Sequence, residues 1–200
     1  MSIYKVIRFG KRPAGTDPVR FRADWTRQHR GLAARAVLSF STGEVALGGT
    51  EPPFDAMAAL YVATLDEAQR LRQGDDLVCD EHLMSEKPNP DLKVKIIRTV
   101  YRRRDLTHAQ FKDYWLRNHA RLEDRVIAES PVQRIVATFA VQEAGSDPAF
   151  DGMVELYFAS LPDIRTMFAG PVPAMMRKDE ENFVQMDAPA VRLVAEEAAV

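Results

Sequence analysis

The chain repeats itself, and this constrains its fold more than any other feature. Displacing the 200-residue sequence by 90 positions lays Lys5-Val-Ile-Arg-Phe-Gly-Lys-Arg12 on Lys95-Ile-Ile-Arg-Thr-Val-Tyr-Arg102. The same displacement lays Phe21-Arg-Ala-Asp-Trp-Thr-Arg-Gln-His29 on Phe111-Lys-Asp-Tyr-Trp-Leu-Arg-Asn-His119, and puts Leu32 and Arg35 on Leu122 and Arg125. Between 5–36 and 95–126, 10 of 32 positions are identical, both tryptophans among them. A second match, Phe54–Leu65 on Phe150–Leu161, has an offset of 96, and the six added residues are expected in a loop. Such self-similarity marks one supersecondary unit built twice. The expected units are residues 1–91 and 92–200, without a separate linker.

Each copy reads strand, helix, strand, strand, helix. The runs 4–11 and 94–101 are rich in β-branched residues, as strands are. Asp17-Pro18 and the capping box Thr107-His-Ala-Gln110 open a first helix, expected over 18–35 and 108–125. Along it Phe21, Trp25, His29 and Leu32, and Phe111, Trp115, His119 and Leu122, form one stripe, so both tryptophans should turn toward their own sheets. Strands are expected over 36–47 and 131–143, then 56–63 and 152–159, with a second helix starting at Thr64 and Ser160. A fourth strand is evident in copy two at Val191–Ala195; in copy one, Leu92–Tyr101 is expected to serve as one long strand shared by both halves. The βαββαβ order gives an antiparallel sheet with both helices on one face. The bare face then needs a cover, and the second copy can supply it. The fold class is therefore α+β: two ferredoxin-like βαββαβ repeats packed sheet to sheet as an intrachain pseudo-dimeric α/β barrel.

A formal charge of −2 offers no field for a phosphate backbone, so no nucleic-acid partner is expected. One cysteine, Cys79, can form neither an internal disulfide nor a thiolate cage, and no paired-histidine or dinucleotide signature is present. No metal and no cofactor are expected. The opening residues carry no apolar signal segment and no run has membrane-spanning length, so a cytoplasmic protein without a membrane partner is expected.

The spacing Phe-x3-Trp-x3-His after a basic strand, followed by Phe-Asp-x-Met-x-x-Leu-Tyr-Phe-Ala, resembles the EthD family of the dimeric α/β-barrel group. The resemblance covers most of both copies and is stronger in the second, where Asp179-Glu-Glu-Asn-Phe183 also fits. It implies that two copies in one chain form the barrel that two chains usually form, with a further homodimer left open. Related barrels include cofactor-free monooxygenases, isomerases, cyclases and decarboxylases, along with haem-binding branches. The implied function is a cofactor-independent oxidation, decarboxylation, dehydration or isomerisation of a small hydrophobic or aromatic metabolite. The alternative is a non-catalytic ligand-binding or accessory protein of a catabolic pathway. Fold alone does not choose between them.

His119, Tyr157 and Glu155 are the candidate catalytic residues. An imidazole can take and return a proton near neutral pH, and a phenol and a carboxylate could assist it. His29, Tyr61, Trp25, Trp115, Met167, Phe168 and Met175 are the candidate pocket-lining residues. Each has a structural alternative: the histidines could close the end of helix one, Glu155 could pair with a basic residue such as Arg98 across the halves, and the Met-rich segment could be core. Arg8 and Arg98, on equivalent strand positions, could bind an anionic substrate or pair with an acidic neighbour. Glu155 matches Ala59 in copy one, so the functional pocket is expected in copy two.

Overall fold

The computed structural model describes residues 3–44, 53–141 and 148–200. The first half runs β1 (Ile3–Gly10), α1 (Pro18–His29), β2 (Arg35–Ser41), β3 (Ala56–Val62), α2 (Leu65–Leu71) and β4 (Leu77–Glu86). The second runs β5 (Val94–Val100), α3 (His108–Tyr114), a π-helical turn (Trp115–His119), α4 (Ala120–Glu129), β6 (Arg134–Ala140), β7 (Gly152–Phe158), α5 (Leu161–Ala169), α6 (Val172–Glu180) and β8 (Arg192–Ala199). The eight strands close into one barrel in the order β1-β3-β2-β8-β5-β7-β6-β4. Each half contributes a four-stranded antiparallel sheet, and β2–β8 and β4–β6 join the two sheets at both edges. Closure leaves no unpaired edge. Residues 45–47 and 142–143 of the expected second strands lie outside the described residues.

Caps set the helix starts. Asp17 accepts from the Arg20 amide at 3.0 Å ahead of Pro18, Thr64 and Thr107 make reciprocal capping boxes with Glu67 and Gln110, and Ser160 caps α5. Both tryptophans are buried on their own sheets: Trp25 packs with Leu38, Phe40, Ala56 and Ala58, and Trp115 with Val100, Ala137 and Phe139.

Three expectations need correction. Leu92–Tyr101 is not a shared strand: β4 is a separate fourth strand of copy one, and β5 begins at Val94. The run Leu77-Val-Cys-Asp-Glu-His-Leu conceals a strand because its charges are paired in the folded state. Glu81 accepts from Lys5 and Tyr61, and Asp80 pairs with His82 and Lys112. Next, α1 stops at His29, short of residue 35, where Gly31 takes a left-handed φ of 76°, whereas the matching helix of copy two continues to Glu129. Last, the added residues do not lie in a loop. Lys5 and Lys95 are 90 residues apart, but Arg35 and Arg134, which both stand opposite the repeat tyrosines Tyr61 and Tyr157, are 99 apart. The tyrosines themselves are 96 apart. Nine residues are therefore gained in the helical segment after His119, and three are lost before the third strand. Arg35 belongs with Arg134, not Arg125. The gained residues form α4, and the π turn lies just ahead of it.

Most strands are buried on both faces, while Glu196–Ala199 at the end of β8 and Leu83 on β4 are exposed. Inside the barrel Ile7, Met57, Ile97, Met153 and Leu193 pack together. Outside, Val94, Ile96 and Ile135 pack with Val126 and Ile127 of α4 and Ile164 and Met167 of α5. Among the described residues no helix is long and apolar enough to cross a membrane.

Candidate functional site

In copy two the helices stand clear of the sheet around a cavity of about 280 Å³. Ile96, Val154 and Leu156 supply the sheet wall, and Trp115, Val126, Met167, Phe168 and Met176 supply the helical wall. The polar groups are His119, Glu123, Glu180 and the arginines Arg98, Arg177 and Arg192. An apolar chamber with a few converging polar groups is how small-molecule sites are built, and this volume is at the small end of their range.

His119 is buried, and its Nδ1 lies 2.7 Å from Asp179 Oδ2. Tyr114 donates to the other oxygen of Asp179 at 3.1 Å. The carboxylate fixes the proton of the neutral ring on Nδ1, leaving Nε2 as the free acceptor. Burial lowers the His119 pKa, against the opposing pull of the Asp179 hydrogen bond and the nearby Glu180 charge. The ring is therefore neutral at pH 7 and able to accept a proton.

The π turn creates this geometry. In copy one, His29 spends its Nδ1 on the Trp25 carbonyl, 2.7 Å away. In copy two, the Ala120 amide, five residues on, takes the Trp115 carbonyl, and the imidazole reaches Asp179 instead. π turns recur at functional sites because one extra residue re-aims a side chain. The same turn shifts the buried stripe by one residue, so Glu123 rather than Leu122 follows His119 into the interior. Trp115 Nε1 donates to Glu123 Oε1 at 3.1 Å, while Oε2 is buried without a partner among the described residues. Burial raises its pKa to about 7. Sequence periodicity passes over Glu123 because a regular helix would place it off the stripe.

Of the expected lining residues, Trp115, Met167 and Phe168 line this cavity. Met175 does not: Pro173, Met176, Arg177 and Glu180 form the inward face of α6, and Met175 packs against the neighbouring core. His29, Trp25 and Tyr61 are remote from it. His29 is enclosed between the Trp25 carbonyl and Arg8, whose guanidinium is held by Asp76. Tyr61 donates to Glu81 at 2.8 Å.

Tyr157 and Glu155 do not share the cavity with His119. Side chains alternate across a strand, and on β7 it is Val154 and Leu156 that face the helices. Glu155 and Tyr157 point into the barrel. There Glu155 bridges Lys5, at 3.1 Å, and Lys95, one from each half. Tyr157 donates to Glu197 at 2.7 Å. Glu155 does pair across the halves, but with the lysines rather than Arg98, which makes a bidentate pair with Glu180 at 2.7 and 3.0 Å. Burial alone would raise the Glu155 pKa, but the two ammonium groups outweigh it and bring it to about 2. The pairing of Arg8 with Asp76 in copy one is the counterpart of the pair formed by Arg98 and Glu180. Among the described residues no group of three or more His, Cys, Asp or Glu side chains could hold a metal ion.

A closed barrel of two βαββαβ halves, with a chamber between one sheet and its helices, defines an α/β barrel of the dimeric type contained in one chain. Residues 103–187 match the EthD domain model. That span holds the π turn, His119, Glu123 and Asp179. No curated protein matches the chain. Among solved structures, an anthrone oxidase-like protein aligns with a TM-score of 0.68 at 5% identity, covering 99% of this chain and 93% of that one. A monooxygenase-like protein from Listeria innocua aligns at 0.55 and 9% identity, covering 98% and 95%. A mutant chlorite dismutase from Candidatus Nitrospira defluvii aligns at 0.52 and 10% identity, covering 97% and 91%. At these identities the likeness is one of fold.

Proposed function

We propose that the chain is a cofactor-independent enzyme in which His119 abstracts a proton from a small hydrophobic or aromatic molecule held in the copy-two cavity. The observation that carries this reading is a buried imidazole on an apolar cavity wall whose Nδ1 is held by a carboxylate 2.7 Å away. The substrate C–H or phenolic O–H proton passes to Nε2, its electron pair stays on the substrate as an enolate or phenolate, and Asp179 stabilises the imidazolium. Return of the proton to another carbon completes an isomerisation. The same anion is the species that dioxygen oxidises, or that expels a leaving group in a dehydration. Aromatic ketones of the kind named for the anthrone oxidase-like neighbour suit such a site, and cytoplasmic placement accords with one buried free cysteine.

The test is hydrogen exchange at the acidic carbon of 2-tetralone in D2O, followed by proton NMR. The protein is expected to accelerate exchange, and His119→Gln to abolish at least roughly a hundredfold of that acceleration. Equal exchange by the variant would remove His119 from the role. Absence of acceleration for 2-tetralone and for anthrone would favour a non-catalytic binding protein.

A further inference from the structure

Arg98 and Arg192 stand directly opposite each other on β5 and β8, and both line the cavity. Like charges in a directly opposed strand pair destabilise a sheet unless something neutralises them. Glu180 takes the two terminal nitrogens of Arg98, yet Arg98 Nε is buried without a partner among the described residues. Arg192 is half-buried and, among the described residues, has neither a hydrogen-bond nor an ion-pair partner. Arg177 adds a third guanidinium from α6, where it is exposed, so this basic end lies toward solvent. Burial, with Arg98 and Arg177 close by, pulls the Arg192 pKa below its usual value, although Glu180 opposes this. Three cations meet one carboxylate here, since Asp179 is engaged by His119 and Tyr114.

We infer that Arg192, supported by Arg177 and the Arg98 Nε–H, is the docking site for a carboxylate on the ligand. The substrate class is then an aryl or alicyclic carboxylic acid of one or two rings: the apolar body occupies the chamber and the acid group faces the arginines. An arginine fork matches a carboxylate by two parallel hydrogen bonds, which a neutral amide of the same shape cannot reproduce. The inference rests on the proposed function for the location of the ligand, but it assigns a different residue and a different property.

Isothermal titration calorimetry with 2-naphthoate and its neutral isostere 2-naphthamide separates the two. The wild-type chain is expected to bind the naphthoate at least roughly tenfold more tightly, consistent with one charge-assisted bidentate pair. Arg192→Gln should bring the two affinities within about threefold by weakening naphthoate alone, while His119→Gln keeps the preference. If Arg192→Gln does not fold, Arg192→Lys retains the charge without the fork and should reduce the preference by at least roughly threefold. Equal affinities in the wild type, an undiminished preference in the Arg192 variant that folds, or no binding of naphthoate would overturn the assignment. A His119→Gln chain that still catalyses exchange but shows the carboxylate preference would defeat the proposed function and leave this inference standing.

Discussion

Trp115 donates its indole N–H to Glu123 over 3.1 Å, and the second oxygen of that carboxyl is buried without a partner among the described residues. A buried carboxyl with one accepted hydrogen bond is stable when protonated and costly when ionised. The Glu123 pKa rises from 4.5 to about 7, so the folded state holds a proton that the unfolded state releases above pH 4.5. Its stabilising contribution is therefore full below pH 4.5 and falls as pH rises through about 7. Glu123→Gln, a neutral isostere, should remove this decline. Urea unfolding should show the variant gaining on the wild type between about pH 5 and pH 8, by at most about 3 kcal/mol. A constant difference across that range would mean that Glu123 is already ionised when folded.

Glu155 has the opposite sign. Its pKa falls from 4.5 to about 2, so it stabilises the fold above pH 4.5 and loses that contribution as pH drops through about 2. Removing its charge leaves Lys5 and Lys95 buried with Glu81 and Glu197 as their remaining carboxylates. Glu155→Gln should cost about 3–5 kcal/mol in urea unfolding at pH 7, because a broken buried pair exposes the desolvation penalty of its partners. A loss below about 1 kcal/mol would show that the other two carboxylates suffice.

The repeat, the element types and the barrel were legible because they rest on local pattern: β-branched runs, caps, and the Phe-Trp-His stripe. What escaped depended on pairing across the fold. Lys5 and Lys95 look like solvated residues until both prove to flank Glu155 inside the barrel. The charged β4 reads as a loop until its carboxylates find partners. His119 was recognisable, but its partner was not. Asp179 arrives from α6, in the longer stretch between α5 and β8 of copy two, 60 residues along the chain. Glu123 was hidden by the π turn, since a single inserted residue changes which side chain a helical stripe buries. Tyr157 and Glu155 face the barrel interior and not the histidine's cavity; both faces of β7 are largely buried, and residue type alone does not reveal which one borders the ligand.

Each tryptophan packs on a glycine, but the copies place that glycine on opposite members of the same cross-strand pair. Gly10 is paired with Ala56, and Val100 with Gly152. A Cβ on Gly10 would sit 2.5 Å from two indole carbons of Trp25, whereas one on Gly152 would meet Trp115 and Phe111 at 3.1–3.2 Å. Gly10→Ala should therefore destabilise by about 1–3 kcal/mol, and Gly152→Ala by less. Thermal melts of the two variants check the order, and a larger loss at Gly152 would reverse the packing picture.

Asp179 should control the titration of His119 without any substrate present. Burial lowers the His119 pKa from 6.5, and the Asp179 hydrogen bond partly restores it. A histidine held below its unfolded value stabilises the fold above that value and loses the contribution as pH falls through its folded pKa. Asp179→Asn removes the carboxylate that favours the imidazolium, so the folded pKa should drop further, and the acid side of the stability profile should steepen at lower pH. The Hε1 resonance of His119, followed by NMR from about pH 8 to pH 4, reports this directly. His29 serves as the internal reference, because its Nδ1 is held by a backbone carbonyl and its curve should not move. The carboxylate is also what stabilises the imidazolium in the proposed proton transfer, so the same variant should lose exchange activity in parallel with the pKa. A raised or unchanged His119 pKa in Asp179→Asn would show that the 2.7 Å contact does not set the protonation of the ring.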